Sequence, residues 1–585
     1  MKELSDEKRM LVAFVLMIFV LFIWGRVYKP PVVQPPAKNA TAAETGAAAS
    51  SAGTAATAGN SAAGTMAART ELPTGAVEAS AEKTIVVESP LYRVELSNRG
   101  AAVRSWKLKK YLNDSKPPTP LELVNEEAAQ EFGEWPLSLS LDDAQLETQA
   151  NSGLYQVKAA QLRVNPPTPT PQLTDEKEFD APVEITFHWS DGHIDVVKTL
   201  KFGDDYQVEV ETTASVDGKP LAAGIGWRGG FGDVQAAQES QLVNVFYREG
   251  GKLVLLPLKK LGAPSHPEVK TMQAGTLEYA GIEDQFFTAA FLPNGPGVNL
   301  WDWAQQHNYL DDGKPAQESE SQIAVGSAMP GPLSMRLYVG PKDIHILANL
   351  KPPLEELVQF GYVTILAKPL LEILLWTHKY IPNYGWAIVF ITLAINTALF
   401  PLKMKSWRSM QKMQKVGPEV KSIQDRYKKY SMNDPRKKKM NEEVMAIYSR
   451  EGVNPFGSCL PMLVQFPIWA ALYRMLGGAI ELRHAPWFGW LHDLSARDPY
   501  YILPILMVVT MYLMQKMTPT TTVDPAQQKM MTFMPILMGV FFFRLSSGLI
   551  LYIFTSNLVG MGQQYYLNRT EPLPAKGRSN NGKKT

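Results

Sequence analysis

Residues able to do chemistry are scarce in the last third of this 585-residue chain. Long apolar runs there carry only a few polar side chains, and hydrocarbon offers no water to satisfy such groups. Thr392 and Asn396 stand four residues apart and share a helical face. Gln465 and Trp469 share a face of a second run. Tyr552 and the pair Ser556-Asn557 lie on a last run, the pair one heptad before Gln563-Gln564. The chemistry open to these groups is hydrogen bonding and hydration. Two readings follow: polar glue between helices, or the lining of a shared hydrated cavity. Several such residues on several helices suggest the cavity. Arg474 lies nine residues past Gln465, about half a turn round. It and Arg544 fall near the outer ends of their runs, where snorkelling to the interface is the plainest account of either.

No enzyme constellation emerges. His188 and His193 flank a turn, where solvation or hydrogen bonding suits them better than a metal. Gly224-Ile225-Gly226-Trp227-Arg228-Gly229 spells GxGxxG without a βαβ unit around it and reads as a turn. Walker A, HExxH and GxSxG motifs are missing. The single cysteine, Cys459, excludes a disulfide framework within the chain and a zinc site built on several cysteines. No metal and no cofactor is expected.

The elements that must hold the polar groups are legible from charge and periodicity. Residues 1–30 carry a net charge of +2, residues 31–384 of −15 and residues 385–585 of +14. Two halves of opposite sign imply two surroundings. Met10–Trp24 is a 15-residue apolar run behind Lys8-Arg9, read as an uncleaved signal anchor within residues 1–30. Residues 31–83, rich in Ala, Thr, Gly, Ser and Pro, bury too little apolar surface to offset chain entropy and read as a tether. Residues 84–345 alternate with period 2, as in Val183–Trp189 and Tyr206–Glu211, and predict a large antiparallel β domain with one solvated face per sheet. Residues 354–380 predict an amphipathic helix lying along a membrane surface, with Leu366, Leu370, Ile373 and Leu374 on one side and a kink at Pro369.

Five candidate spans follow within residues 385–567: about Gly385–Leu402, Leu460–Ile480, Tyr500–Met517, Met531–Leu545 and Gly548–Leu567. The loop Lys403–Glu451 has a net charge of +8 and the tail 568–585 of +4, whereas Glu481–Pro499 holds two basic and three acidic residues. The positive-inside rule puts the first two in the cytoplasm and the third outside. Counting the anchor, six spans leave both termini inside and the β domain outside. The loop, 403–451, reads as a helical hairpin with an apolar seam of Met410, Met413, Val416, Val420 and Ile423 against Met440, Val444 and Ile447. Its lysines, Lys412, Lys415, Lys437, Lys438 and Lys439, suit either a solvated hairpin or an arm that docks a ribosome or an emerging chain.

The residues then bring a resemblance into view. Glu451-Gly452-Val453-Asn454-Pro455-Phe456-Gly457 leads into Leu460-Pro461-Met462-Leu463-Val464-Gln465-Phe466-Pro467-Ile468. Further motifs are Glu481–Pro486, His492–Pro504, Gln515–Thr520, Asp524–Lys529, and Ser547-Gly548-Leu549 through Ser556-Asn557-Leu558. These resemble the YidC/Oxa/Alb family of membrane protein insertases, in its Gram-negative YidC form. Gly281–Phe287 and Tyr338–Pro341 are similar, more loosely, to the family's periplasmic domain. The resemblance implies a five-helix insertase core, a periplasmic β-supersandwich, and a hydrophilic groove open to the cytoplasm and to membrane lipids. It also implies an arginine five residues before a proline on the first span after the β domain. That proline is Pro401, so the matching position holds Asn396, and Arg544 stands where the family often has an aromatic residue.

The expected protein is therefore a polytopic inner-membrane insertase and chaperone, not an enzyme. Its partners are nascent membrane proteins, the Sec translocon, the ribosome and lipids, with no specific nucleic acid. Thr392, Asn396, Gln465, Trp469, Arg544, Tyr552 and Asn557 are the candidate groove residues. The alternatives are a secondary transporter or channel with a periplasmic binding domain, or a carbohydrate module on a membrane anchor. No internal repeat and no intramembrane carboxylate favours transport.

Overall fold

The computed structural model describes residues 75–571, except 116, 163–171, 174–176, 233–242, 264–267, 274–276, 295–296, 312–313, 431–433, 453–459, 519–532, 536, 538 and 540–541. The expected anchor, most of the tether, Cys459, much of the fourth candidate span and nearly all of the tail lie outside the described residues.

Alternating sequence folds into the β domain as expected. In the strand Val183–Ser190 the side chains of Val183, Ile185, Phe187 and Trp189 are buried while Glu184, Thr186 and His188 between them are half-exposed. That strand pairs antiparallel with Ile194–Phe202, which pairs with Gln207–Val216. These belong to an eleven-stranded sheet running from Lys252–Pro257 to Gln172–Leu173. Two five-stranded sheets flank it. The tight cluster of Tyr92, Trp106, Phe202 and Trp227, with ring centroids 5.9–6.3 Å apart, ties strands of all three sheets together. Each such side chain contributes about 1.5–3 kcal/mol of burial.

Three details differ from the expectation. Thr84–Glu88 and Glu178–Asp180 pair parallel, as does the isolated bridge between Gly262 and Trp303, within a largely antiparallel domain; a long excursion brings the chain back beside its first strand. Leu277–Glu283 and Phe287–Pro293 are buried on both faces, not one, since the hairpin strand Lys314–Ser327 packs over them. Gly224–Trp227 is a buried strand paired on both edges rather than a turn. A Cβ on Gly226 would lie 2.8 Å from the Ile323 carbonyl, so the glycine is required by close strand packing.

The helical region comprises α1 (Thr364–Tyr380), α2 (Tyr384–Ala398), α3 (Phe400–Tyr427), α4 (Pro435–Arg450), α5 (Leu460–Gly478), α6 (Ile502–Met517) and α7 (Ser547–Thr570). The expected surface helix is shorter than 354–380, and two short 3₁₀ turns precede it. Its faces also differ. Ala367, Leu371, Leu374 and Thr377 are buried, while Ile365, Leu366, Ile373, Trp376 and Tyr380 form the exposed apolar side. Leu374 thus points away from Leu366 and Ile373, because α1 packs on α5 through its other stripe. No single described helix is both long and apolar enough to cross a membrane; α2 and α3, bent by 50° at their junction, pass together.

Local chemistry fixes these helices. Asn383 caps α2 by accepting from Trp386 N and holds the loop 486–487 through its amide. Gly385 packs so closely on Trp487 that a Cβ would lie 2.2 Å from the ring. Buried Asp498 accepts from Trp490 Nε1, Tyr500 N and Leu503 N, which starts α6. The free N–H groups that open α7 donate to carbonyls of Leu494 and Ala496. One apolar core runs from the β domain into α1, α2, α5, α6 and α7; the α3–α4 hairpin has its own small core.

Candidate functional site

Polar side chains of α2, α3 and α7 meet in one network. Asn396 is buried in the last turn of α2. Its Nδ2 donates to the Thr392 carbonyl at 2.9 Å and to Ser556 Oγ at 3.2 Å. Its Oδ1 accepts from Lys403 Nζ at 3.0 Å, and Lys403 also donates to Gln563 Oε1 at 2.9 Å. Gln563 Nε2 closes the ring by donating to the Asn396 carbonyl at 3.0 Å. Lys403 is half-buried and has amide oxygens, not carboxylates, as its partners here.

A second pair lies farther along α7. Gln465 Nε2 on α5 donates to the Tyr552 hydroxyl at 2.8 Å. Tyr552, Ser556 and Gln563 fall within about 40° of one face of α7, so a polar seam runs roughly 16 Å along it. The other candidates sit elsewhere. Thr392 turns its hydroxyl back onto the Ile388 carbonyl of its own helix. Asn557 points to α6, where its amide donates to Thr510 Oγ1 at 3.3 Å. Trp469 stacks on Tyr473 at 5.9 Å, beside Phe466, as part of an aromatic strip on α5. Arg544 lies apart from the network, lining a cavity with Arg474 at the Gly477-Gly478 end of α5.

Lys403 is the residue that sequence reasoning missed. It stands seven residues after Asn396, so a helical face already relates the two. It counted instead as the first charge of the loop. The bend between α2 and α3 turns its ammonium back toward Asn396.

The hairpin forms as expected, with a different seam. Val416, Val420, Ile423 and Ile447 form its core, flanked by Tyr427, Met440, Val444 and Tyr448. Met410 and Met413 fall outside this core, because α3 reaches α4 only in its second half. Arg450–Glu419 at 2.7 Å and Tyr427–Glu443 at 2.8 Å brace it. Lys412, Lys415, Lys438 and Lys439 are exposed and Lys437 is half-exposed.

The β domain meets the helices at the Gly477-Gly478 end of α5 and the stretch that follows it. Gln285 Nε2 donates to the Gly477 carbonyl at 2.6 Å, Arg483 Nη1 to the Leu112 carbonyl at 2.7 Å, and His484 bonds Asp114 at 2.9 Å. That histidine holds the Asp114 carboxyl below its usual range. Gln285 is aimed by a buried turn: Asp284 accepts from Phe286 N and Phe287 N, and Lys342 pairs with Glu283 at 3.0 Å. Burial pushes both of these carboxyls up. His188 and His193 bond Asp195 and Asp217, the ordinary role expected of them. Deeper in the domain, ligand atoms of His307, Glu318 and Glu320 lie within 4.8 Å of one another. Burial pushes the Glu320 carboxyl up to about 7, against a hydrogen bond from Asn125.

Comparison with known proteins covers both halves. The family model of the YidC periplasmic domain matches residues 84–373, and that of the 60Kd inner membrane protein matches residues 376–574. The Membrane protein insertase YidC of Bordetella petrii is 31% identical over 514 residues, 86% of this chain and 85% of that protein. The protein of the same name from Wolinella succinogenes is 45% identical over 247 residues, 42% of this chain and 45% of its own length. A crystal structure described as an active YidC insertase with its first transmembrane domain resolved aligns over 84% of this chain and 94% of its own, at 18% identity and a TM-score of 0.33. The class is thus an inner-membrane protein with a β-rich periplasmic domain and a C-terminal helical region. The chain belongs to the YidC membrane protein insertase family.

Proposed function

We propose that α2, α5, α6 and α7, with the run around residues 531–545, form the bilayer-embedded core of an insertase and chaperone, and that the seam between α2, α5 and α7 receives nascent membrane proteins. Both termini and the α3–α4 hairpin lie in the cytoplasm in this reading, and the β domain is periplasmic. The +8 charge of residues 403–451 supports that orientation. The work is physical: a polar segment crosses against amides and hydroxyls instead of hydrocarbon, and the substrate's apolar segment then moves into lipid. Burial of about 0.8 kcal/mol per CH₂ drives the last step.

The observation that carries this reading is the Lys403–Asn396–Gln563–Ser556 network. A cation at the inner end of the seam, with its charge spread over amide oxygens and no paired carboxylate, can attract an acidic stretch of a substrate. Lys403, rather than Arg544, supplies the charge that Asn396 lacks. The hairpin lysines dock the ribosome, and the Sec translocon is a partner for some substrates. The transporter alternative gains nothing from the seam, which lacks a carboxylate among the described residues.

Photo-crosslinking from positions 465, 552 and 556 to ribosome-bound nascent chains tests the proposal. Adducts at these three positions, and none from position 450 on the hairpin flank, are expected. A seam that yields no adducts while the protein remains active in insertion refutes it.

A further inference from the structure

Four arginines line one cavity at the outer end of the helical region, and one of them, Arg483, donates to the Leu112 carbonyl. Its volume is about 660 Å³, and its lining comes from the last turn of α5, the loop 493–497, residues 544–546 and the β domain. Arg474, Arg497 and Arg544 all line it. The two acids on its wall are held by neighbours on the same wall: Asp114 bonds His484, and Asp493 Oδ1 accepts from Ser495 N and Ala496 N. Lys342, also on the wall, pairs with Glu283. Nε of Arg497 is buried without a hydrogen-bond partner. The four guanidinium groups outnumber the two carboxylates on this wall, and their mutual repulsion falls when an anion joins them. Their planar forks match the oxygens of a phosphate better than any other common anion save a carboxylate.

The surroundings select among anions. Tyr473 is exposed on the cavity wall, and exposed Tyr501 packs on Phe543 at 5.6 Å, next to Arg544. Amphipathic rings of this kind mark headgroup depth. From the same end, Ile502, Ile505, Val509 and Leu513 run down α6 as an exposed apolar stripe at three- and four-residue intervals. Cationic forks at headgroup level above an apolar track match a molecule with a phosphate and acyl chains.

We propose that this cavity binds the phosphate of an anionic phospholipid of the outer leaflet, with Arg474, Arg497 and Arg544 as its ligands and the α6 stripe under its chains. The lipid would brace the β domain on the helices, since Gln285 and Asp114 share the cavity wall. The proposal rests on the reading that these helices cross the bilayer.

The test uses the full chain in nanodiscs of mixed phosphatidylglycerol and phosphatidylcholine, with retained lipid counted by native mass spectrometry. The wild type should retain phosphatidylglycerol in preference to phosphatidylcholine. Removing two exposed charges in the Arg474→Gln/Arg544→Gln double variant should lower that preference roughly tenfold or more, and adding Arg497→Gln should abolish it. Thermal melts check folding, and the double variant decides if the triple one unfolds. An unchanged preference in the double variant overturns the proposal. Release of the lipid by inorganic phosphate would make this a free-anion site, and release by an acidic peptide would assign it to a passing chain; either overturns the lipid. Carbonate extraction and protease protection report separately on membrane crossing, so an integral protein without lipid preference refutes the site alone.

Discussion

Lys403 and Asn396 share one hydrogen bond, and the charge sits on the member that the family pattern does not point to. Lys403→Met should slow insertion of a substrate with an acidic translocated segment roughly tenfold, the equivalent of ~1.4 kcal/mol for one charge-assisted contact. Asn396→Arg alone should also impair insertion, because it sets a second cation about 3 Å from the first. Combined with Lys403→Met it should recover most of the activity. If the double variant is no better than Lys403→Met, charge at this point is not the operative property. In the β domain, Lys198 is fully buried and its ammonium donates to the carbonyls of Gly100, Ala101 and Leu137. Burial pushes its pKa down to about 7 from an ordinary 10.5. A pKa lower in the folded state means that folding is favoured by deprotonation, so the stabilisation is complete above about 10.5 and is lost as pH falls through 7. Against Lys198→Met, the wild type should gain a few kcal/mol of stability between pH 7 and 10. A constant difference in paired melts across that range would contradict this.

At the scale of elements, the hairpin separates its structural residues from its charges. Val416, Val420, Ile423 and Ile447 hold α3 to α4, while the lysines face solvent or the hairpin edge. Charge reversal at Lys412, Lys415, Lys437, Lys438 and Lys439 should leave the helices formed and weaken ribosome association. The loss should be greater at low salt, because at 0.1 M the Debye length is only about 10 Å. Co-sedimentation at two salt concentrations measures it, and an unchanged profile at both would remove the docking role. The exposed apolar side of α1, with Ile365, Ile373 and Trp376, suits a helix half-sunk in an interface, although α1 is shorter than its apolar stretch.

At the scale of the whole molecule, the β domain and the helices share one apolar core, supplemented by a few polar contacts where residues 112–114 and 285 meet the stretch 477–484. Gln285–Gly477, Arg483–Leu112 and Asp114–His484 are partly solvated hydrogen bonds, of a type worth about 1 kcal/mol each. Leu347, Leu354, Leu357 and Phe360, which seal the base of the helical region, lie after residue 340. Deleting residues 84–330 should therefore leave insertion largely intact. Complementation of a depletion strain checks this, and loss of viability with the helices still folded would show that the domain takes part in insertion itself.

The one-dimensional signals determined what depends on periodicity and charge. Period-2 burial in Val183–Ser190 and Gln207–Val216, the hairpin of the cationic loop, and the helices at 385–398, 460–478, 502–517 and 547–567 follow from the spacing of apolar residues, which a local backbone geometry repeats. Which polar groups meet was decided only in three dimensions. Asn396, Ser556 and Gln563 come together, while Asn557, one residue from Ser556, turns to Thr510, because successive residues on a helix point about 100° apart and α2 and α6 flank α7 on different sides. Lys403 looked like the start of a loop until a 50° bend carried it back to Asn396. Arg474 and Arg544 looked like separate interfacial anchors, but a shared cavity gathers them with Arg497. Contacts between helices whose residues lie 47 to 167 positions apart leave no periodic trace in either helix, so only the packing of the helices could reveal them.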